Sequence, residues 1–159
     1  PPGGSSTALN AREDIQNMLL AEGFSWVSSK YPSHKYSSPD TEPDNDIYES
    51  ILTAQKEAQP YIYPSGLVEI PMSPISDVGA FRTSHWKLKY FLKSVELCIQ
   101  QAIEQGSVFD FLCHPSIMYV EDPHFETVKL ICKLVNQSGG RAEMVGLSDI
   151  AKRVPRKTS

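Results

Sequence analysis

The chain of 159 residues carries 15 Lys and Arg against 19 Asp and Glu, a formal charge of −4 at pH 7, and 40% hydrophobic residues. This length suits one domain whose folding buries roughly 70% of the surface exposed by the unfolded chain. The acidic balance argues against a nucleic-acid binder, which gathers Lys and Arg on one face, and no apolar run approaches the ~18 residues of a membrane span.

Residues 10–22 predict a helix, with an Asn10/Glu13 capping box, Ile15, Met18 and Leu19 on one face and Gly23 as terminator. Residues 24–29 predict a strand anchored by Trp26. Residues 31–45 are rich in Pro, Ser and acids and read as a long loop, functional or disordered. A peripheral helix is expected over 46–58, started by an Asp46/Glu49 box, because its apolar face of Ile47, Ile51, Ala54 and Ala58 is thin. Residues 67–72 predict a strand, and 73–83 a loop in which Asp77 and Arg82 form a solvated pair. The longest helix, 84–105, carries one apolar stripe of Leu88, Phe91, Val95, Cys98, Ile99 and Ala102 and stops at Gly106.

Residues 108–114 form a short apolar run between Gly106 and Pro115, the pattern of a buried strand in a parallel sheet. A helix capped by Asp122 follows, with Phe125, Val128, Ile131, Cys132 and Val135 at helical spacing and Gly139-Gly140 as its end. Residues 142–145 predict a strand, and Ser148 and Asp149 start a last short helix before a basic tail. Helices alternating with strands predict an α/β domain, a parallel sheet with covering helices. Cys98, Cys113 and Cys132 match no zinc or redox spacing and read as small core residues. Trp26 and Trp86 read as core anchors rather than sugar platforms, and His124 as a surface residue.

The expected strand over 108–114 delivers His114 to its C-terminal end, where α/β domains build ligand sites. In order, Gly23-Phe24-Ser25-Trp26-Val27-Ser28-Ser29, Leu67-Val68-Glu69-Ile70-Pro71 and Phe109-Asp110-Phe111-Leu112-Cys113-His114-Pro115 resemble the C-terminal half of the polysaccharide deacetylase family. This is the nodulation-protein-B homology domain, carbohydrate esterase family 4. The resemblance covers roughly residues 1–152, leaving 153–159 as the basic tail. It implies a partial, distorted (β/α) barrel and, in the complete domain, a zinc-like divalent metal that serves hydrolysis of N- or O-acetyl groups on polysaccharide.

Leu112-Cys113-His114 matches the family's Leu-x-His motif, which implies that His114 is the general acid toward the leaving amine and that Leu112 lines the pocket of the acetyl methyl. An imidazole titrates near neutrality and can hold and release that proton. Pro1-Pro2-Gly3-Gly4 resembles the end of the family's Arg-Pro-Pro-Tyr/Gly-Gly motif and implies substrate-binding positions at Pro2 and Gly3. The family's Asp-Asp and His-x-x-x-His motifs, which hold the base and the metal, have no counterpart: His34, His85, His114 and His124 share no i, i+4 spacing. This chain alone therefore supports no metal ligands. The aspartate-tryptophan motif after the Trp26 strand is also missing, with Asp40 or Asp44 as its possible substitute.

Two readings follow. One is part of a metal-dependent deacetylase whose metal and base come from upstream sequence, with a hydrolase of small amides as a variant of it. The other is an inactive deacetylase-like module that binds glycan or a partner, or that pairs its open sheet edges as a homo-oligomer.

Overall fold

The longest helix forms as its periodicity requires. In the computed structural model, which describes Gly4–Ser5 and residues 13–155, α3 spans Leu88–Gln105 and buries Phe91, Val95, Cys98, Ile99 and Ala102 along one stripe. Each large apolar side chain so buried contributes about 1.5–3 kcal/mol. Gly106 ends the helix in the left-handed region at φ 60°, which only glycine enters without steric cost.

Around α3 the other elements run in the order β1 (Gly4–Ser5), α1 (Glu13–Ala21), β2 (Trp26–Ser28), α2 (Asn45–Glu57), β3 (Tyr61–Ile62) and β4 (Val68–Glu69). A π-helical turn (Val78–Thr83), α3, α4 (Pro115–Glu121), α5 (Glu126–Gln137) and α6 (Leu147–Arg153) complete the chain. The domain is mixed α/β. Its sheet has the order β1-β2-β4-β3, with β1, β2 and β4 parallel and β3 antiparallel to β4.

The expected all-parallel sheet is thus corrected at β3. Gly66, at φ 93°, closes a tight turn in which the Tyr63 amide donates to the Leu67 carbonyl and the Gly66 amide to that of Tyr63. So short a connection returns the chain only antiparallel. Near the start of the chain lies β1, whose Gly4 and Ser5 are in register with Val27 and Ser28.

Two apolar cores hold these elements. The first joins α2, α3 and α4 through Ile47, Ile51, Phe91, Val95, Ile117 and Met118. This overturns the expectation that the second helix is peripheral: its Ile47, Ile51, Ala54 and Ala58 are all buried. A face of small and branched residues allows close approach to a neighbour. Its cap is Asp44, whose carboxylate accepts the Ile47 amide at 3.0 Å, and not the expected Asp46/Glu49 box. The second core places Trp26, Val68 and Ile70 of the sheet against Ala151 of α6. Trp26 also donates through Nε1 to Ser148 Oγ at 3.1 Å.

α1 keeps its place, but Met18 is exposed and Gln16 buried, so its inward face differs from the expected one. Asn10 lies outside the described residues. In α5 the inward side chains are Thr127, which is buried, with Leu130, Ile131 and Leu134 packed on the first core. Phe125 and Val128 are exposed, so this helix is rotated from the expected stripe. Asp122 still caps it from a distance, its buried carboxylate accepting the Glu126 and Thr127 amides, each at 2.8 Å. The expected strand over 142–145 is irregular chain, and Arg153, the first residue of the expected tail, is the last residue of α6.

Residues 107–114 are extended but form no ladder. Among the described residues one backbone bond ties them to the chain beyond β4, from the Ser73 amide to the Asp110 carbonyl at 2.8 Å. At Val108 side-chain amides take the place of a neighbouring strand: Gln59 Oε1 accepts from the Val108 amide at 2.8 Å, while Gln59 Nε2 and Gln55 Nε2 donate to its carbonyl at 3.1 and 2.9 Å. The expected buried strand is therefore a half-buried extended segment that lacks strand neighbours on both sides.

Gln59→Ala removes the acceptor of the Val108 amide, and the loss should be about 1–2 kcal/mol. Urea unfolding checks this. An unchanged midpoint would mean that water replaces the glutamine at no cost.

Candidate functional site

Beyond β4 the chain turns through residues 70–81, in which Asp77 is the single charged residue. The π-helical turn begins directly after it, and such turns frequently accompany functional sites. Asp77 is completely buried. Its Oδ1 accepts the Val78 amide at 2.8 Å, and its Oδ2 accepts the His114 amide at 2.5 Å. His114 Nδ1 lies 2.9 Å from Asp77 Oδ1. A carboxylate only accepts, so Nδ1 carries the proton in that bond.

His114 is held from behind as well. It is the N-cap of α4, in extended conformation, with Pro115 at the first helical position. The fixed φ of that proline starts the helix, and the Ile117 and Met118 amides donate to the His114 carbonyl at 2.9 and 3.0 Å. The imidazole nevertheless remains 46% exposed while its carboxylate partner is sealed. With Nδ1 committed to Asp77, Nε2 is the ring nitrogen left to meet a ligand. A buried carboxylate that orients an exposed imidazole can set the tautomer and stabilise the imidazolium.

The solvated Asp77/Arg82 pair expected from sequence is thereby replaced. Arg82 instead faces Glu121 across 3.6 Å at the surface, where such a contact contributes little. Asp40 and Asp44, considered as substitutes for the missing aspartate, do other work: Asp44 caps α2 and Asp40 lies 3.5 Å from His85. Asp77 is the residue that sequence reading missed. Its available signal was a lone acid in an otherwise uncharged stretch.

Phe109, Phe111 and Cys113 pack toward the first core, so alternation turns Asp110 and Leu112 to the opposite face. Ser28 Oγ donates to Asp110 Oδ2 at 3.1 Å, and burial pushes the Asp110 carboxyl above its ordinary range against that bond. Leu112 is half-buried. Burial, with the negative Asp77 nearby, pushes the Cys113 thiol up; it is a poor nucleophile. Pro2 and Gly3 lie outside the described residues. Trp86 is buried and donates to Ser37 Oγ at 2.5 Å, so it offers no platform to a sugar. His124 is exposed.

No family model, no curated protein and no solved structure matches the chain.

Among the described residues no three His, Cys, Asp or Glu side chains come together to hold a metal ion. Asp77 and His114 offer two donors, and Asp77 already accepts three N–H groups. A catalytic zinc takes three protein ligands, so this donor set does not fit one. What such a pair can do is present the free ring nitrogen, Nε2, in a fixed orientation. An open groove of about 930 Å³, lined by Ile99, Phe109, Val128, Cys132, Met144 and Ile150 among others, reaches neither Asp77 nor His114. Among the described residues no helix is long and apolar enough to cross a membrane.

Proposed function

We propose that this chain supplies the general-acid half of a metal-dependent deacetylase acting on N- or O-acetylated polysaccharide, in a complete domain with the distorted barrel of that family. Metal ligands and base would come from sequence outside these residues. The observation that carries the reading is the sealed Asp77 carboxylate holding an exposed His114 ring by Nδ1. A leaving amine needs a proton as the carbon–nitrogen bond breaks, and an imidazolium presented at Nε2 can donate it. The resemblance of Leu112-Cys113-His114 to the family's Leu-x-His motif assigns the same ring the same role, with Leu112 against the acetyl methyl.

The open groove and the unladdered 107–114 segment favour a second reading, a non-catalytic module that binds glycan or pairs with another copy. One experiment separates the two. The longest natural polypeptide carrying these residues, supplied with zinc, should release acetate from N-acetylglucosamine oligomers or acetylated xylan, while the 159-residue chain alone should release none. Saturable binding of the same oligomers without acetate release would replace the first reading by the second.

A further inference from the structure

Asp77 can hold His114 only if the turn that carries it is itself held. That turn, residues 73–79, leaves the sheet after β4 and crosses to the chain that follows β2. Tyr31 sits in the crossing chain. Its hydroxyl is bonded to the Pro74 carbonyl and lies 3.1 Å from Ser76 Oγ, while Ser76 Oγ accepts the Gly79 amide at 3.1 Å.

Proton accounting gives the direction of each bond. The carbonyl of Pro74 only accepts, so the single phenolic proton of Tyr31 goes there, and Ser76 must donate its own proton to the Tyr31 oxygen. Gly79 then donates to Ser76. The three bonds clamp both sides of Asp77, at Pro74 and Ser76 before it and at Gly79 after it. Burial, together with the nearby Tyr36 and the negative Asp77, pushes the Tyr31 phenol well above its ordinary range, so the donated proton stays in place. Gly79 belongs to the same arrangement: a Cβ there would lie 3.1 Å from Tyr36 Cε1 and 3.4 Å from Ser76 Oγ. The turn thus meets Tyr31 and Tyr36 of one rim loop, and its backbone carbonyl, serine and glycine are all used by that contact.

We propose that Tyr31 is a positioning residue for His114, its hydroxyl locking the 74–79 turn so that Asp77 meets the imidazole at Nδ1. The inference rests on the proposed role of the Asp77–His114 pair, but its test need not. In the 159-residue chain, ¹⁵N NMR at pH about 8.5, above the ordinary imidazole range, reads which ring nitrogen carries the proton. Wild type should show His114 protonated at Nδ1. Tyr31→Phe and Ser76→Ala should each move part of the population to Nε2–H. Trp26→Phe, which removes a hydrogen bond in the second core, serves as the stability control and should leave the tautomer unchanged.

In the longest natural polypeptide, Tyr31→Phe should lower kcat by about tenfold to a hundredfold with KM unchanged, the scale of a displaced reacting group. A tautomer shift without acetate release from any form keeps the positioning role and removes the deacetylase reading. A lower melting temperature with an unmoved His114 tautomer in both variants makes Tyr31 merely structural and overturns the inference.

Discussion

His114→Ala in the longest natural polypeptide is expected to lower turnover on an N-acetylated substrate by about 100-fold or more, the scale of removing a positioned acid. Metal affinity should stay unchanged, because the described residues around His114 contribute no third ligand. Stability should fall by no more than about 1 kcal/mol. The ring is 46% exposed, and Asp77 keeps the Val78 and His114 amides as donors after the ring is gone. Steady-state kinetics, metal titration and a urea midpoint together check the result. Full activity across the pH range would make the histidine structural and would falsify its assignment as the acid.

Asp77→Ala should be the more damaging change to the fold, at about 3 kcal/mol. It leaves three N–H groups without their acceptor, two of them backbone amides at a residue that is completely buried, and each such loss costs about 1–3 kcal/mol before water intrudes. Asp77→Asn separates stability from chemistry. With its oxygen in the place of Oδ2 it still accepts the His114 amide, while its NH2 group, in the place of Oδ1, gives up the Val78 amide, demands an acceptor at His114 Nδ1 and drives the proton to Nε2. Turnover should then fall about as far as in His114→Ala, roughly 100-fold, with a smaller loss of stability than in Asp77→Ala because the His114 amide keeps its acceptor. The double variant Asp77→Asn/His114→Ala should be no slower than His114→Ala alone, since the two residues act as one unit. Additive losses would show that Asp77 contributes by a route that bypasses the ring.

Much of the helical framework was legible along the chain because its causes are local. The stripe from Phe91 to Ala102 repeats every three to four residues and stops at a glycine. Gly23 and Gly106 both take positive φ at helix ends, as their positions in the pattern required. Ser148 and Asp149 fall in the last helix. Trp26 is buried on a strand, and Cys98 is the core residue expected, whereas Cys113 and Cys132 are only half-buried. Pro115 marks the start of α4, with His114 directly before it.

What remained hidden depends on partners distant in sequence. An extended apolar run becomes a ladder strand only where other backbone lies alongside, and residues 107–114 meet Ser73 on one side and the amides of Gln55 and Gln59 at Val108. No periodicity in 108–114 could announce that. β3 is two residues long, below the length at which alternation can be read. Composition of α2 and spacing in α5 point to one apolar face each, whereas burial follows from which side α3 occupies.

Composition, periodicity and the breakers by themselves determined an α/β chain, the course of its main helices, and a titratable ring at the end of an extended segment. Only the tertiary structure decided that the ring is half of a pair. Asp77 lies 37 residues before His114, in a stretch whose sequence reads as solvated loop. It becomes a sealed carboxylate because folding brings two backbone amides and an imidazole to it at once, and those three N–H groups repay its loss of water.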